Sequence, residues 1–259
     1  MKARGFALLI TLWMLVPLSL LLLILSGTAQ SEGQVAANGR DGAVLHAAAV
    51  GGIETAIVSL VGDHESDPPG RAVIGGAEVT VVSEPLAGFV NPNLATAPLL
   101  RALFVRAGVD PELSDRLADA IVEWRTPGQQ RATGLGKAAL YRAAGRDYGP
   151  PGAPFETLAE LGDVLGMTPA ILARVSPVLS LCTDAPPNRA LAPSLVRSAL
   201  AELGVNQPGK VSRGTIFHLT AVARRGSARS RVDAVIRLGP GMRPWRVLAW
   251  GEAAAGGTR

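Results

Sequence analysis

The sequence predicts an α+β fold in which a long N-terminal helix packs on an antiparallel sheet, with an all-helical block inserted between its strands. Three observations predict it. An apolar run opens the chain and passes into further helix-compatible sequence. Near Val90 strand-like alternation gives way to short capped helices. From Gly214 to Trp250 alternation returns, which is the pattern of strands split by a helical insertion.

The start of the chain fixes its relation to a membrane. Met1-Lys2-Ala3-Arg4-Gly5 is a short basic leader, and no charged residue occurs between Arg4 and Glu32. Phe6 to Leu25 has the length a helix needs to cross the hydrocarbon core at about 1.5 Å per residue. Thr11, Pro17 and Ser19 are tolerated in such helices, where neighbours satisfy the freed backbone groups. Three readings stand. The segment is an uncleaved anchor, a secretory signal, or a helix kept after a cut between Gly5 and Phe6. Its apolar stretch is longer than secretory signals carry, and Ser26-Gly27-Thr28-Ala29 is a poor cleavage site. Gly5-Phe6 followed by an unbroken apolar helix resembles the type III signal of prepilins and pseudopilins. The basic leader predicts a cytoplasmic N-terminus, with everything beyond about residue 30 in a periplasm-like space.

The 259 residues leave room for one large or two small domains beyond the anchor. The formal net charge is +4, of which Lys2 and Arg4 supply two, too mild to argue for nucleic acid. Cys182 is the single cysteine, so no intrachain disulfide forms, and in the apolar stretch Val178–Cys182 it reads as a buried structural thiol. His46, His64 and His218 fit no ligand spacing.

The elements follow in order. Val50, Ile53, Ile57 and Leu60 form one helical stripe, so the N-terminal helix is predicted to continue to about Leu60, weakened by Gly33, Gly39, Gly42, Gly51 and Gly52. Asp63–Gly70 ends it as a turn-rich loop. Ala72–Ile74 and Ala77–Val82 read as a hairpin around Gly75-Gly76. Thr96 is placed to cap a helix with Pro98 in its first turn, running to about Ala107. Asp110 caps the next, Glu112–Arg125, whose apolar face is Leu113, Leu117, Ala120, Ile121 and Trp124; Thr126-Pro127-Gly128 stops it. Short helices are predicted at Lys137–Arg142, Pro154–Leu165 and Thr168–Val175, then a strand at Leu179–Cys182 and a helix at Ala192–Leu203. Gly214–Ala223, Arg229–Leu238 and Trp245–Trp250 are three strands, the first two joined by a turn at Arg224–Ala228. In the second, Val232, Ala234, Ile236 and Leu238 alternate with Arg231, Asp233 and Arg237, the mark of one buried and one wet face.

The layout and several segments together resemble one family. The segments are Arg4–Leu9, Val90-Asn91-Pro92-Asn93-Leu94-Ala95-Thr96-Ala97-Pro98, Leu117–Arg125, Pro154–Leu161, Gly166-Met167-Thr168-Pro169 and Trp245–Trp250. Their order and spacing resemble the K-type minor pseudopilins of type II secretion. The resemblance implies a pilin-like fold with a SAM-like or helix-hairpin-helix-like insertion. It divides the chain into a leader (1–5), a transmembrane helix (6–29), a pilin-like part (30–88), the insertion (89–176) and a second pilin-like part (177–259). It further implies cleavage and N-methylation at Gly5 and Phe6 by prepilin peptidase, and residence in the bacterial inner membrane with a periplasmic head. The implied role is at the tip of a pseudopilus that aids export of folded proteins. The implied partners are the I- and J-type subunits, the inner-membrane platform and membrane lipid. Filament-body pilins carry Glu at mature position five, buried and therefore costly unless paired. Here that position is Ile10, which suits a subunit with none above it and equally a membrane-facing residue of any anchor. Some family members bind calcium, which wants six to eight oxygens. No dense acidic cluster appears here and no ligand is assigned; Asp63, Glu65 and Asp67 read as a solvated turn.

Two other classes are weighed. A membrane-anchored DNA receptor would use the Gly108–Glu112 and Gly166–Pro169 hairpins to present amides to phosphate. The first places two carboxylates there, and the second lacks a second glycine and a lysine, so both read as protein-packing versions without nucleic acid. The arginines at 224, 225, 229, 231, 237, 243 and 246 are either a face for an acidic partner or the solvated side of a sheet. No enzyme is expected: Glu54, Glu78, Glu156 and Asp163 have no catalytic context, and Gly134-x-Gly136-Lys137 is not a phosphate loop.

Overall fold

A computed structural model of the chain describes residues 13–15, 17–18, 39–62, 70–128, 137–205, 216–239 and 244–253. The Gly5/Phe6 junction, Ile10, and the loop carrying Asp63, Glu65 and Asp67 lie outside the described residues.

Helix α1 runs Gly39–Gly62. Leu45, Ala49, Ile53, Ala56, Ile57 and Leu60 recur on one face and are buried in a common core with Val79, Val81, Leu219, Ala221, Val232, Ala234 and Ile236. Its length and mean hydropathy of 1.8 would suit a bilayer, but this buried stripe makes it the core helix of the head. The anchor expected from the sequence is the apolar segment before it. There Trp13–Leu15, Pro17 and Leu18 are helical, and Trp13, Met14, Leu15 and Leu18 are exposed, which fits a single-pass anchor whose solvent is lipid.

Gly52 does not merely weaken α1. A Cβ on Gly52 would come within 2.7 Å of Val79 Cγ1 and 3.2 Å of Val81 Cγ2. Its missing side chain lets the helix sit close on the sheet, a contact that outweighs the roughly 1 kcal/mol propensity cost of a helical glycine.

The sheet has five antiparallel strands in the order β1-β2-β3-β4-β5: Arg71–Ile74, Ala77–Pro85, Ile216–Arg225, Ala228–Leu238 and Trp245–Ala253. Gly75 and Gly76 have φ of 57° and 75°, the left-handed pair that a two-residue hairpin turn demands. The β3–β4 turn is shorter than expected. Arg224, Arg225 and Ala228 stay in the ladder, leaving Gly226-Ser227 as the tip. Val232, Ala234, Ile236 and Leu238 are buried as the alternation predicts.

β2 and β3 are neighbours in space but distant in sequence, and the helical block fills the gap. It comprises α2 (Ala97–Arg106), α3 (Pro111–Arg125), α4 (Lys137–Ala143), α5 (Pro169–Val175), α6 (Ser194–Glu202) and three 3-10 turns, at Leu86–Gly88, Leu158–Asp163 and Ser176–Val178. Its core joins Leu100, Leu103, Phe104, Leu117, Ile121, Leu161 and Val175 with Val196, Ala199 and Leu200, so α6 packs with the block although it lies beyond residue 176. A small third cluster of Leu86, Phe89 and Ile216, flanked by Cys182, Val235 and Leu248, joins block to sheet.

Three expectations differ. Pro154–Leu165 forms only the 3-10 turn at Leu158–Asp163. The Glu160 carboxylate accepts from the backbone amides of Glu156 and Thr157 and from the Thr157 hydroxyl, folding the segment back on itself. Leu179–Cys182 is no strand: one parallel bridge, Val90 to Leu179, is all it contributes. Thr96 stands at the cap position of α2, but its hydroxyl makes no cap bond.

Candidate functional site

The segments that carry the family resemblance meet in the helical block. Asn91 is buried; its side-chain amide donates to the carbonyls of Thr183 at 2.6 Å and Leu181 at 3.2 Å, and its Oδ1 accepts from the Asn93 amide. Asn93 pairs both ways with the Phe155 backbone, at 2.8 and 2.9 Å. The Arg125 guanidinium donates to the Pro92 carbonyl and, at 2.6 Å, to that of Ala95. Burial pulls this guanidinium below its ordinary range. Trp124 stacks on Phe155 with centroids 5.8 Å apart and planes 4° from parallel, and meets Tyr141 at 6.2 Å. The Asn-Pro-Asn loop, the Trp-Arg pair and the Pro-Phe segment are thus one interlocked support. Such a network holds a shape; it offers no reacting atom.

The hairpins weighed as phosphate sites are occupied by their own chain. Asp110 Oδ1 accepts from the amides of Glu112 and Leu113, and Thr168 Oγ1 from that of Ile171. Gly166 faces Leu117 and Leu113, and its φ of 88° is a backbone conformation that favours glycine. Arg174 is turned to the carbonyls of Ala107 and Gly108. The amides that would hold a nucleic-acid backbone therefore serve protein packing. Cys182 is half-buried, and burial pushes its thiol up, away from the depressed range of reactive cysteines. Among the described residues no cluster of three metal-ligating side chains occurs.

The exposed surface is more telling. β5 is an edge strand, and Trp245, Val247 and Trp250 on it are exposed. Trp245 pairs with Leu238, Val247 with Ile236, and Trp250 with Ala234. Cross-strand partners share a face, so all three side chains lie on the α1 side of the sheet, beyond the strands α1 covers. A bulge between the Val235 and Ile236 positions leaves Leu248 unpaired and makes this possible. Leu248 turns to the other face and packs by Leu86, Phe89 and Ile216. The strip is hidden in the sequence, because the five-residue spacing of the two tryptophans would put them on opposite faces of a regular strand.

The basic residues divide into two groups. Arg231 grips Asp233 at 2.7 and 2.9 Å, and Arg237 meets Asp184 at 2.9 Å. Arg224, Arg229 and Arg246 are exposed, while Arg243 lies outside the described residues.

Residues 82–184 match the family model described as Type II secretion system (T2SS), protein K. The fold is similar to a chain in the crystal structure of the GspK-GspI-GspJ complex from the enterotoxigenic Escherichia coli Type 2 Secretion System. The TM-score is 0.58 at 15% identity, covering 87% of this chain and 98% of that one, a likeness of fold. No curated protein matches the chain.

Proposed function

We propose that the chain, which matches the protein K model of type II secretion over residues 82–184, is a member of that family and works as the minor pseudopilin at the tip of the pseudopilus, aiding export of folded proteins across the outer membrane. In this reading prepilin peptidase removes Met1–Gly5, Phe6 becomes the methylated N-terminus, and the 6–29 helix stays in the inner membrane with the head on the periplasmic side. The inner-membrane platform then draws the subunit into an assembly with I- and J-type partners. The chain catalyses nothing itself. Calcium is carried over by resemblance alone, with no ligands assigned.

The observation that carries this reading is the coincidence of family match and architecture. The matched stretch contains the Asn91–Asn93–Trp124–Arg125–Phe155 network, and that network is inserted in a sheet-and-helix head behind an apolar segment. The uncovered Trp245, Val247 and Trp250 strip supports a neighbouring subunit seated beside α1. A few hot-spot residues, enriched in tryptophan, dominate such contacts at about 2 kcal/mol or more.

Co-expression with the I- and J-type subunits and a prepilin peptidase tests the proposal. A ternary complex and an N-terminus at Phe6 are expected, and Trp245→Ala with Trp250→Ala should weaken the complex by at least about tenfold while leaving the head folded. A stable intact Met1 and no complex would overturn it.

A further inference from the structure

Two hairpin tips and the first turn of α1 meet at one end of the sheet, and Arg225 ties them together. Its guanidinium donates to the Gly75 carbonyl and, at 3.3 Å, to that of Gly76, and it lies 3.8 Å from the Asp41 carboxylate. That end carries Arg40, Arg224, Arg225 and Arg229, all exposed, against Asp41 and Glu78.

Arg224 and Arg229 are direct cross-strand partners on the sheet face turned from α1. Like charges in that relation destabilise a sheet. On the other side of Arg224 stands Glu78, a single carboxylate beside two guanidiniums. Farther along the same face, Arg231 and Arg237 each have an acidic partner. The face therefore matches its cations one to one away from the tip and leaves two guanidiniums to a single carboxylate at it. The tip residues Gly75, Gly76, Gly226, Ser227 and Ala228 are small and in the turns or beside them, so nothing bulky holds a flat surface away from the guanidiniums.

This is also the end from which the chain leaves for its anchor. The predicted anchor ends at residue 29 and α1 begins at Gly39. Ten residue steps reach at most about 36 Å fully extended and about 15 Å as helix. The tip is thus tethered close to the bilayer surface by a short run of chain.

We propose that the β1–β2 and β3–β4 hairpin tips, through Arg40, Arg224 and Arg229, dock on anionic phospholipid headgroups of the bilayer that holds the anchor. Basic groups beside a membrane anchor are attracted to anionic headgroups within about a Debye length of the surface. Docking fixes which way the head faces before a partner arrives: the tips lie on the membrane and the far end of the sheet points away from it. The proposal rests on the anchored-subunit reading above.

The test uses the full chain reconstituted in vesicles, with a fluorophore on Ser227→Cys in a Cys182→Ala background and a quencher on the lipid headgroup. Quenching is expected in phosphatidylcholine carrying about a third phosphatidylglycerol, and not in phosphatidylcholine alone. Arg224→Gln with Arg229→Gln, both at exposed positions, should shift the docked-to-free ratio roughly thirtyfold towards free at low salt. Equal quenching in both vesicles, or no change in the double variant, would overturn the proposal. A double variant that keeps its vesicle contact but loses its I- and J-type partners would assign these cations to an acidic protein instead, and overturn it too. Failure to float with either vesicle would remove the anchor, and this proposal with it; a chain that floats with both but shows no difference refutes the docking alone.

Discussion

Gly88 shows how much a missing side chain can decide. A Cβ there would lie 2.3 Å from the Leu191 carbonyl oxygen and 2.5 Å from Ala192 Cα. These are backbone atoms, held by the Asn188 amide donating to the Ala87 carbonyl at 2.7 Å, and they have nowhere to move. Gly88→Ala should therefore cost more than the about 1–3 kcal/mol usual for overpacking, read as a fall in thermal midpoint or as insoluble expression. Gly51→Ala is the control, since its nearest neighbour would be the flexible Ile74 side chain at 3.6 Å. Neither role was legible in the sequence. Gly52 reads there as a flaw in a helix and Gly88 draws no notice, because the partners that explain them, Val79 and Leu191, are brought near by the fold alone.

At the scale of elements, local chemistry was legible where it was self-contained. Asp110 caps α3, as its position before a proline and an apolar run suggests. The buried face of α3, with Leu117, Ala120, Ile121 and Trp124, follows from its spacing. Where the outcome depended on a distant partner it was not legible. Val178–Cys182 has strand-like composition, but its one ladder neighbour is Val90, so it ends as a bridge. The β3–β4 pair carries a consequence for acid stability. Partial burial works to raise the Asp233 carboxyl, but hydrogen bonds from Arg231 and Thr220, with the Arg231 and His218 charges, prevail and hold it below the ordinary range. A folded-state value below the unfolded one gives stability that is present above about pH 4 and lost as pH falls through the folded value. Asp233→Asn should therefore melt earlier than the parent at neutral pH, and the difference should shrink as pH falls below the ordinary carboxylate range in thermal melts.

At the scale of the whole molecule, the described residues form two large cores with a narrow join. One lies between α1 and the sheet and the other inside the helical block, and Leu86, Phe89 and Ile216 link them. The α+β layout and the helical insertion were legible, because a change of hydrophobic period needs only neighbouring residues to be seen. The join was not, since Phe89, Ile216 and Leu248 come from three separated segments. Phe89→Ala removes the largest side chain of this link, at a cost of about 3–5 kcal/mol by analogy with other buried aromatics. The expected result is loss of cooperativity: calorimetry should resolve two transitions where the parent gives one, and hydrogen exchange should show the block opening apart from the sheet.

Leu248 acts on the strand as an extra beat acts on a metre. Before it Trp245 and Val247 keep the two-residue rhythm; after it the count is displaced by one, and Trp250 falls in step with them. A shorter chain lacking that one residue would bring Trp250 round to the opposite side and divide a single aromatic patch in two. The address written on this edge therefore depends on an insertion whose own side chain takes no part in the message.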